Sequence, residues 1–261
     1  MLLIHKYKLF LFKLPFIVII MLIFSCSGNK NKEIPYEERT LNTIYKSALE
    51  KLNSKNYEDA IYEFDEVERQ HPYSVWARKS ILMSSYASYK NRDFVKAEIN
   101  LKRYISLYPA SDQVSYAQYL LGMCHFDQII DDKRDQTAVK MAYQTFKLIL
   151  DRYPETPYAK DSYYKIIFLE DILASKELNV AKTYLSLKKY IAAIKRFKNI
   201  VNNYQTSSFV PESLHRLVEV YLILGVNEEA IINARVLGYN FPKSKWYKYS
   251  YKLLKNKNLI E

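Results

Sequence analysis

The sequence predicts an all-α chain folded as a solenoid of five helical hairpins, and three observations carry that expectation. An alanine is followed twelve residues later by a proline four times, at Ala60 and Pro72, Ala97 and Pro109, Ala142 and Pro154, and Ala230 and Pro242. A fifth copy, Ala193 to Gln205, keeps the frame without the proline. Self-similarity at periods of about 20 to 50 residues marks a stack of supersecondary units, each burying its apolar face against the next. Only 4 of the 261 residues are glycine, which disfavours a phosphate-binding glycine loop and a turn-rich β-sandwich. Finally, 49% of the chain is apolar, enough for a continuous core.

The first element is not part of the array. His5, Lys6, Lys8 and Lys13 precede an uncharged run from Leu14 to Phe24, and Ser25-Cys26 follows. These 11 apolar residues are about half the roughly 20 that a membrane-spanning helix needs, so residues 1–25 read as a secretory signal. Loss of its three lysines lowers the formal charge from +11 to about +8, spread among acids along the chain. That pattern fits solvated helix faces, with attraction to an anionic membrane surface as the alternative, and nucleic acid is not an expected partner of an exported chain. Residues 26–38 are polar and read as a flexible tether.

Each hairpin is then justified by spacing. Four residues beyond the alanines stand Phe64, Leu101, Phe146, Phe197 and Ala234; seven beyond stand Val67, Tyr104, Ile149, Ile200 and Leu237. Steps of three and four fall on one helix face, so each copy contains an amphipathic second helix with a small residue where its partner approaches. Small residues twelve before the alanine, Ala48 and Ala181, place the first helices, and Gly122 takes that part in the third hairpin. Successive alanines are 37, 45, 51 and 37 residues apart. The excess in the third hairpin falls at the polar run Asp131-Asp132-Lys133-Arg134-Asp135, and that before the fourth lengthens a helix over Ala159 to Leu187. Ten helices are expected over 39–261, in hairpins at about 41–74, 75–111, 114–156, 159–207 and 210–254.

Candidate chemistry is sparse. His71, His125 and His215 lack metal-ligand spacing, and Cys124 beside His125 points about 100° away from it on a helix, so these read as structural residues. Nucleotide and hydrolase signatures are absent, so the chain reads as a non-enzyme needing no metal and no cofactor. Tyr45, Tyr86, Tyr89, Tyr116 and Tyr119 fall on the first helices of the first three hairpins. They read either as filling between hairpins or as a groove for an extended peptide, in which aromatic anchors recur.

The frame resembles the tetratricopeptide repeat, which implies a right-handed α-solenoid whose first helices line the concave face. Leu22-Ile23-Phe24-Ser25-Cys26 resembles a lipobox, implying a covalent lipid on Cys26, and Ser27 in place of aspartate implies outer-membrane retention. Further stretches sharpen the likeness: Arg134-Asp135-Gln136-Thr137, Leu173-Ala174 through Glu177 and Val180-Ala181 to Tyr184, Tyr190-Ile191-Ala192-Ala193 to Arg196, Pro211-Glu212-Ser213-Leu214, and Phe241-Pro242-Lys243-Ser244. Together they resemble the BamD (ComL) family. That resemblance implies a lipid-anchored subunit of the β-barrel assembly machinery, facing the periplasm of a Gram-negative bacterium. Unfolded barrel proteins would bind the N-terminal repeats, and BamA, among other subunits, the C-terminal repeats, with Arg196 on the BamA side. Gln205 and Ser213 depart from the family pattern, which often has proline and alanine there. The alternative is a periplasmic repeat lipoprotein that scaffolds cell-wall or lipid-export machinery.

Overall fold

A computed structural model describes residues 38–129 and 136–260. The signal, Cys26 and residues 26–37 of the tether lie outside the described residues, as does the run Asp131 to Asp135. Thr40–Glu261 form one compact unit; of the other, Met1–Arg39, only Glu38 and Arg39 are described. The described residues are helical throughout, with no strand.

Five hairpins follow one another: α1 (Leu41–Asn53) with α2 (Tyr57–Gln70), α3 (Val75–Lys90) with α4 (Phe94–Leu107), α5 (Val114–Phe126) with α6 (Thr137–Arg152), α7 (Pro157–Ser186) with α8 (Tyr190–Asn203), and α9 (Val210–Ile223) with α10 (Asn227–Asn240). Each helix packs on its neighbours in sequence, and α1 with α3, α3 with α5, and α5 with α7 also touch. This is the connectivity of a helical-hairpin solenoid. The 30-residue α7 accounts for the longest spacing in the frame.

One expectation is corrected. Eleven helices, not ten, are described, because the stretch 210–254 assigned to the fifth hairpin also contains most of α11 (Lys245–Asn256). Helix α11 packs on α9 as well as α10, so it stands where the first helix of a sixth hairpin would stand. It caps the exposed end of the stack, as terminal units of repeat arrays do.

The repeat positions are the core. Ala60, Phe64, Val67, Ala97, Leu101, Tyr104, Ala142, Phe146, Ile149, Ala193, Phe197, Ile200, Ala230 and Leu237 are all 0% exposed, as are Ala48 and Ala181 on the facing helices. Gly122 fills its role literally: a Cβ there would lie 2.6 Å from Cε1 of Phe146.

Two kinds of turn join the helices, and both are repeated. Within four hairpins a single residue has a left-handed backbone: Lys55 (φ 62°), Arg92 (φ 62°), Lys188 (φ 56°) and Gly225 (φ 73°). The amide of the next residue bonds back across the turn, Asn56 to Lys51, Asp93 to Ser88, Lys189 to Tyr184 and Val226 to Tyr221, closing a Schellman motif. Three of these positions carry a long side chain where glycine is favoured, so glycine scarcity reflects strain tolerated at the turns. Lys55→Gly, Arg92→Gly and Lys188→Gly are each expected to raise stability by about 0.5–1 kcal/mol, read as a higher urea midpoint.

Between hairpins, the helix ends at His71, Tyr108, Tyr153, Tyr204 and Phe241, each with φ near −130° and ψ near 50°. The amide three residues on, at Ser74, Ser111, Thr156, Ser207 and Ser244, bonds back to that residue's carbonyl. Tyr204 adopts the common geometry although Gln205 replaces proline after it. Carboxylates hold this turn instead: Glu170 Oε2 accepts from the Thr206 amide at 3.0 Å, and Asp171 Oδ1 from the Ser207 hydroxyl and the Ser208 amide, each at 2.7 Å. Ser213, the second departure, is fully buried and donates to the Phe209 carbonyl at 2.9 Å.

Candidate functional site

The five nominated tyrosines divide into two groups. All are half-buried and lie against neighbouring helices. Tyr45 and Tyr116 line a groove of about 390 Å³ together with Lys79, Leu82, Asp112 and Tyr158. Tyr86 packs against the apolar cluster behind it. Tyr89 and Tyr119 are instead tied down: their hydroxyls donate to Asp127 Oδ2 at 2.5 Å and Asp161 Oδ2 at 2.7 Å. Burial and these carboxylates raise both phenols well above their ordinary pKa, so each stays a neutral donor.

The groove is built by aromatic pairs that bridge hairpins. Trp76 on α3 meets Tyr45 on α1, with ring centroids 4.5 Å apart, and Tyr158 on α7 meets Tyr119 on α5 at 5.2 Å and Tyr116 at 5.5 Å. Trp246 on α11 packs in the same way on His215 of α9, at 5.2 Å. Trp76, Tyr158 and Trp246 were missed from sequence, yet each stands four residues after a frame proline. That position places an aromatic in the first turn of a new hairpin, against the first helix of the one before.

The second surface lies on the fourth hairpin. Arg196 on α8 donates from Nη1 to both carboxylate oxygens of Glu177 on α7, each at 3.1 Å. The hydrogen bond to Glu177, its negative charge and the nearby Tyr184 hold the guanidinium pKa above its ordinary value, although partial loss of solvent opposes them. One nitrogen serves both oxygens, so the planar fork is not spent on Glu177, and the side chain is 43% exposed. Around it Tyr184, Ile191, Lys195, Lys198 and Asn202 line a shallow concavity of about 790 Å³. Ile191 is 75% exposed there, an apolar side chain beside an unsaturated cation. Arginine with an apolar neighbour is the composition of an interface centre.

Catalytic groups are not gathered at either surface. Cys124 is fully buried, and burial pushes its thiol up to about 12, leaving it without nucleophilic thiolate. His125 is buried, which lowers its pKa, and its Nδ1 stands 3.8 Å from Glu98 Oε2, beyond hydrogen-bond length. A Ser–His–Glu line does occur: His215 Nδ1 is 2.9 Å from Ser250 Oγ, and Nε2 is 3.4 Å from Glu219 Oε1. Burial opposes ionisation of Glu219, but hydrogen bonds from His215 and Arg216 outweigh it and keep the carboxyl below its usual range. Ser250 is 0% exposed, so no substrate reaches it; the line fastens α11 onto α9. Among the described residues no three metal-ligating side chains converge.

Residues 37–237 match a family model, YfiO, described as an outer membrane lipoprotein. A Caulobacter vibrioides protein named outer membrane protein assembly factor BamD is 44% identical over 235 residues, covering 90% of this chain and 77% of its own. Proteins of the same name from Rickettsia prowazekii (37% over 214 residues, covering 82% of this chain and 85% of theirs) and Neisseria meningitidis serogroup A (34% over 225 residues, covering 82% and 84%) are also similar. The match runs from the start of the array to Leu237 and so includes both surfaces. On that breadth of likeness, the chain belongs to the YfiO family of outer membrane lipoproteins, whose relatives described above bear the name BamD.

Proposed function

We propose that the chain is a non-enzymatic factor in outer-membrane protein assembly. In this reading the groove at Tyr45, Tyr116 and Tyr158 receives an extended segment of an unfolded β-barrel protein, and the concavity around Arg196 docks BamA. One observation carries the proposal: likeness to proteins named as assembly factors extends over 90% of the chain, at 44% identity to the Caulobacter protein. The geometry supports it. Half-buried aromatics give apolar anchorage at low entropic cost, with Lys79 and Asp112 offering polar contacts at the rim. Depletion of the protein is expected to lower outer-membrane barrel proteins before other envelope functions fail. Unchanged barrel levels under full depletion would overturn the assignment.

Attachment is assigned to a lipid on Cys26. Among the described residues no helix is long and apolar enough to cross a membrane, and acyl chains at an N-terminal cysteine supply stable anchoring when two or more are present. Cys26→Ser is expected to move the protein from the membrane to the soluble fraction while leaving its helical circular dichroism unchanged. Retention on membranes after a carbonate wash would show that lipidation is not the anchor.

A further inference from the structure

The C-terminal cap is densely and uniformly basic. From Ala230 to Ile260 there is no acidic residue, while Arg235 and six lysines, at 243, 245, 248, 252, 255 and 257, fall in that stretch. All six lysines are exposed, and among the described residues none is paired with a carboxylate. Elsewhere in the array cations are more often matched, as at Lys51 with Glu63, Lys96 with Asp65 and Lys182 with Glu212.

Helical geometry sorts α11 into two faces. Ser250 and Leu254 are buried, with Trp246, Tyr247 and Leu253 half-buried beside them against α9 and α10. Steps of three, four and three put Lys245, Lys248, Lys252 and Lys255 on a single stripe of about 80°, opposite the buried side. Tyr249 (51% exposed) and Tyr251 (40% exposed) flank that stripe on either side. The stripe is held rigid by the buried contact of Ser250 with His215.

We propose that this lysine face of α11 is a docking surface for an anionic phospholipid membrane. Charge complementarity selects this occupant over an acidic protein. Every cation on the helix is a lysine, a hydrated point charge suited to many mobile headgroups, where arginine suits fixed carboxylates. The stripe holds no apolar residue to serve as an interface centre, and lysine is depleted from such centres. Flanking tyrosines suit the headgroup layer, where amphipathic rings collect. The attraction acts beside the lipid on Cys26 as a second signal, laying the C-terminal end of the array near the bilayer while the N-terminus is tethered.

The test uses the full chain carrying Cys26→Ser, so that no acyl chain contributes, sedimented with vesicles of phosphatidylglycerol and phosphatidylethanolamine or of phosphatidylcholine alone. Binding is expected to the anionic vesicles only, and to weaken steeply with salt. Lys248→Glu with Lys252→Glu should lower the partition coefficient by at least roughly 25-fold at low salt, about fivefold for each lysine lost. Lys248→Arg with Lys252→Arg should retain it, because a membrane reads charge. Lys140→Glu with Lys147→Glu, which makes the same change of net charge on α6, should have a much smaller effect. Equal losses from the α6 and α11 variants would reduce the effect to net charge and overturn the proposal. So would equal binding to phosphatidylcholine, or an α11 that binds an acidic peptide or nucleic acid but no anionic vesicle.

Discussion

Phe146→Ala is expected to lower the unfolding free energy by about 3–5 kcal/mol, the range for truncating a buried phenylalanine. The ring is 0% exposed on α6, with Tyr119 and Phe126 centroids 6.1 and 6.2 Å away, and it sits over the bare Cα of Gly122 on α5. Gly122→Ala alone would push a methyl to 2.6 Å from the ring edge, costing about 1–3 kcal/mol by overpacking. The two changes should not add. With the ring gone the new methyl has room, so urea unfolding of the double variant should show a coupling of at least about 1 kcal/mol. Additive losses would mean that Gly122 is not reserved for Phe146. Because hairpins of a solenoid contact mainly their neighbours, hydrogen exchange should quicken most in α5 and α6 and least in α9 to α11.

On the proposed docking of BamA at the fourth hairpin, Arg196→Glu is expected to weaken that complex by about 2 kcal/mol or more, roughly 30-fold, while the array stays folded. The substitution sets a glutamate beside Glu177, where a half-exposed ion pair contributed only about 0.2–1 kcal/mol to folding. Arg196→Lys should show an intermediate loss of affinity, since it keeps the charge and removes the planar donors. Glu177→Gln provides the control: it frees Arg196 without removing it, so affinity should hold. Equal co-purification of Arg196→Glu and wild type, both with native circular dichroism, would take Arg196 out of the interface.

Local periodicity made most of the fold legible. The alanine frame placed ten helices because the residues at zero, four and seven from each alanine form one buried stripe, and the 51-residue interval announced the long α7. The separate cap helix was missed although its signal was present: a hydroxyl residue two after Pro242 and an aromatic four after it, Ser244 and Trp246, repeat what Ser74 with Trp76 and Thr156 with Tyr158 do at other hairpin starts. The left-handed turns at Lys55, Arg92 and Lys188 were hidden because the residues there do not advertise a positive φ.

The candidate surfaces were less legible, for a nonlocal reason. Five tyrosines were nominated by helix position alone. Two of them reach the groove, whereas Tyr89 and Tyr119 find acceptors 38 and 42 residues away, at Asp127 and Asp161. No spacing rule encodes such partners. The same holds for Gln205, where the turn lacks its proline and is kept by bonds to Glu170 and Asp171, over 30 residues upstream.

The most direct test of an assembly role is affinity purification of the full-length protein from gently solubilised envelopes, followed by identification of what comes with it. The expected result is BamA as the dominant partner, retained through high salt and diminished for the Arg196→Glu variant. Recovery of cell-wall or lipid-export components with no BamA would contradict the assignment and make the array a scaffold for another machine.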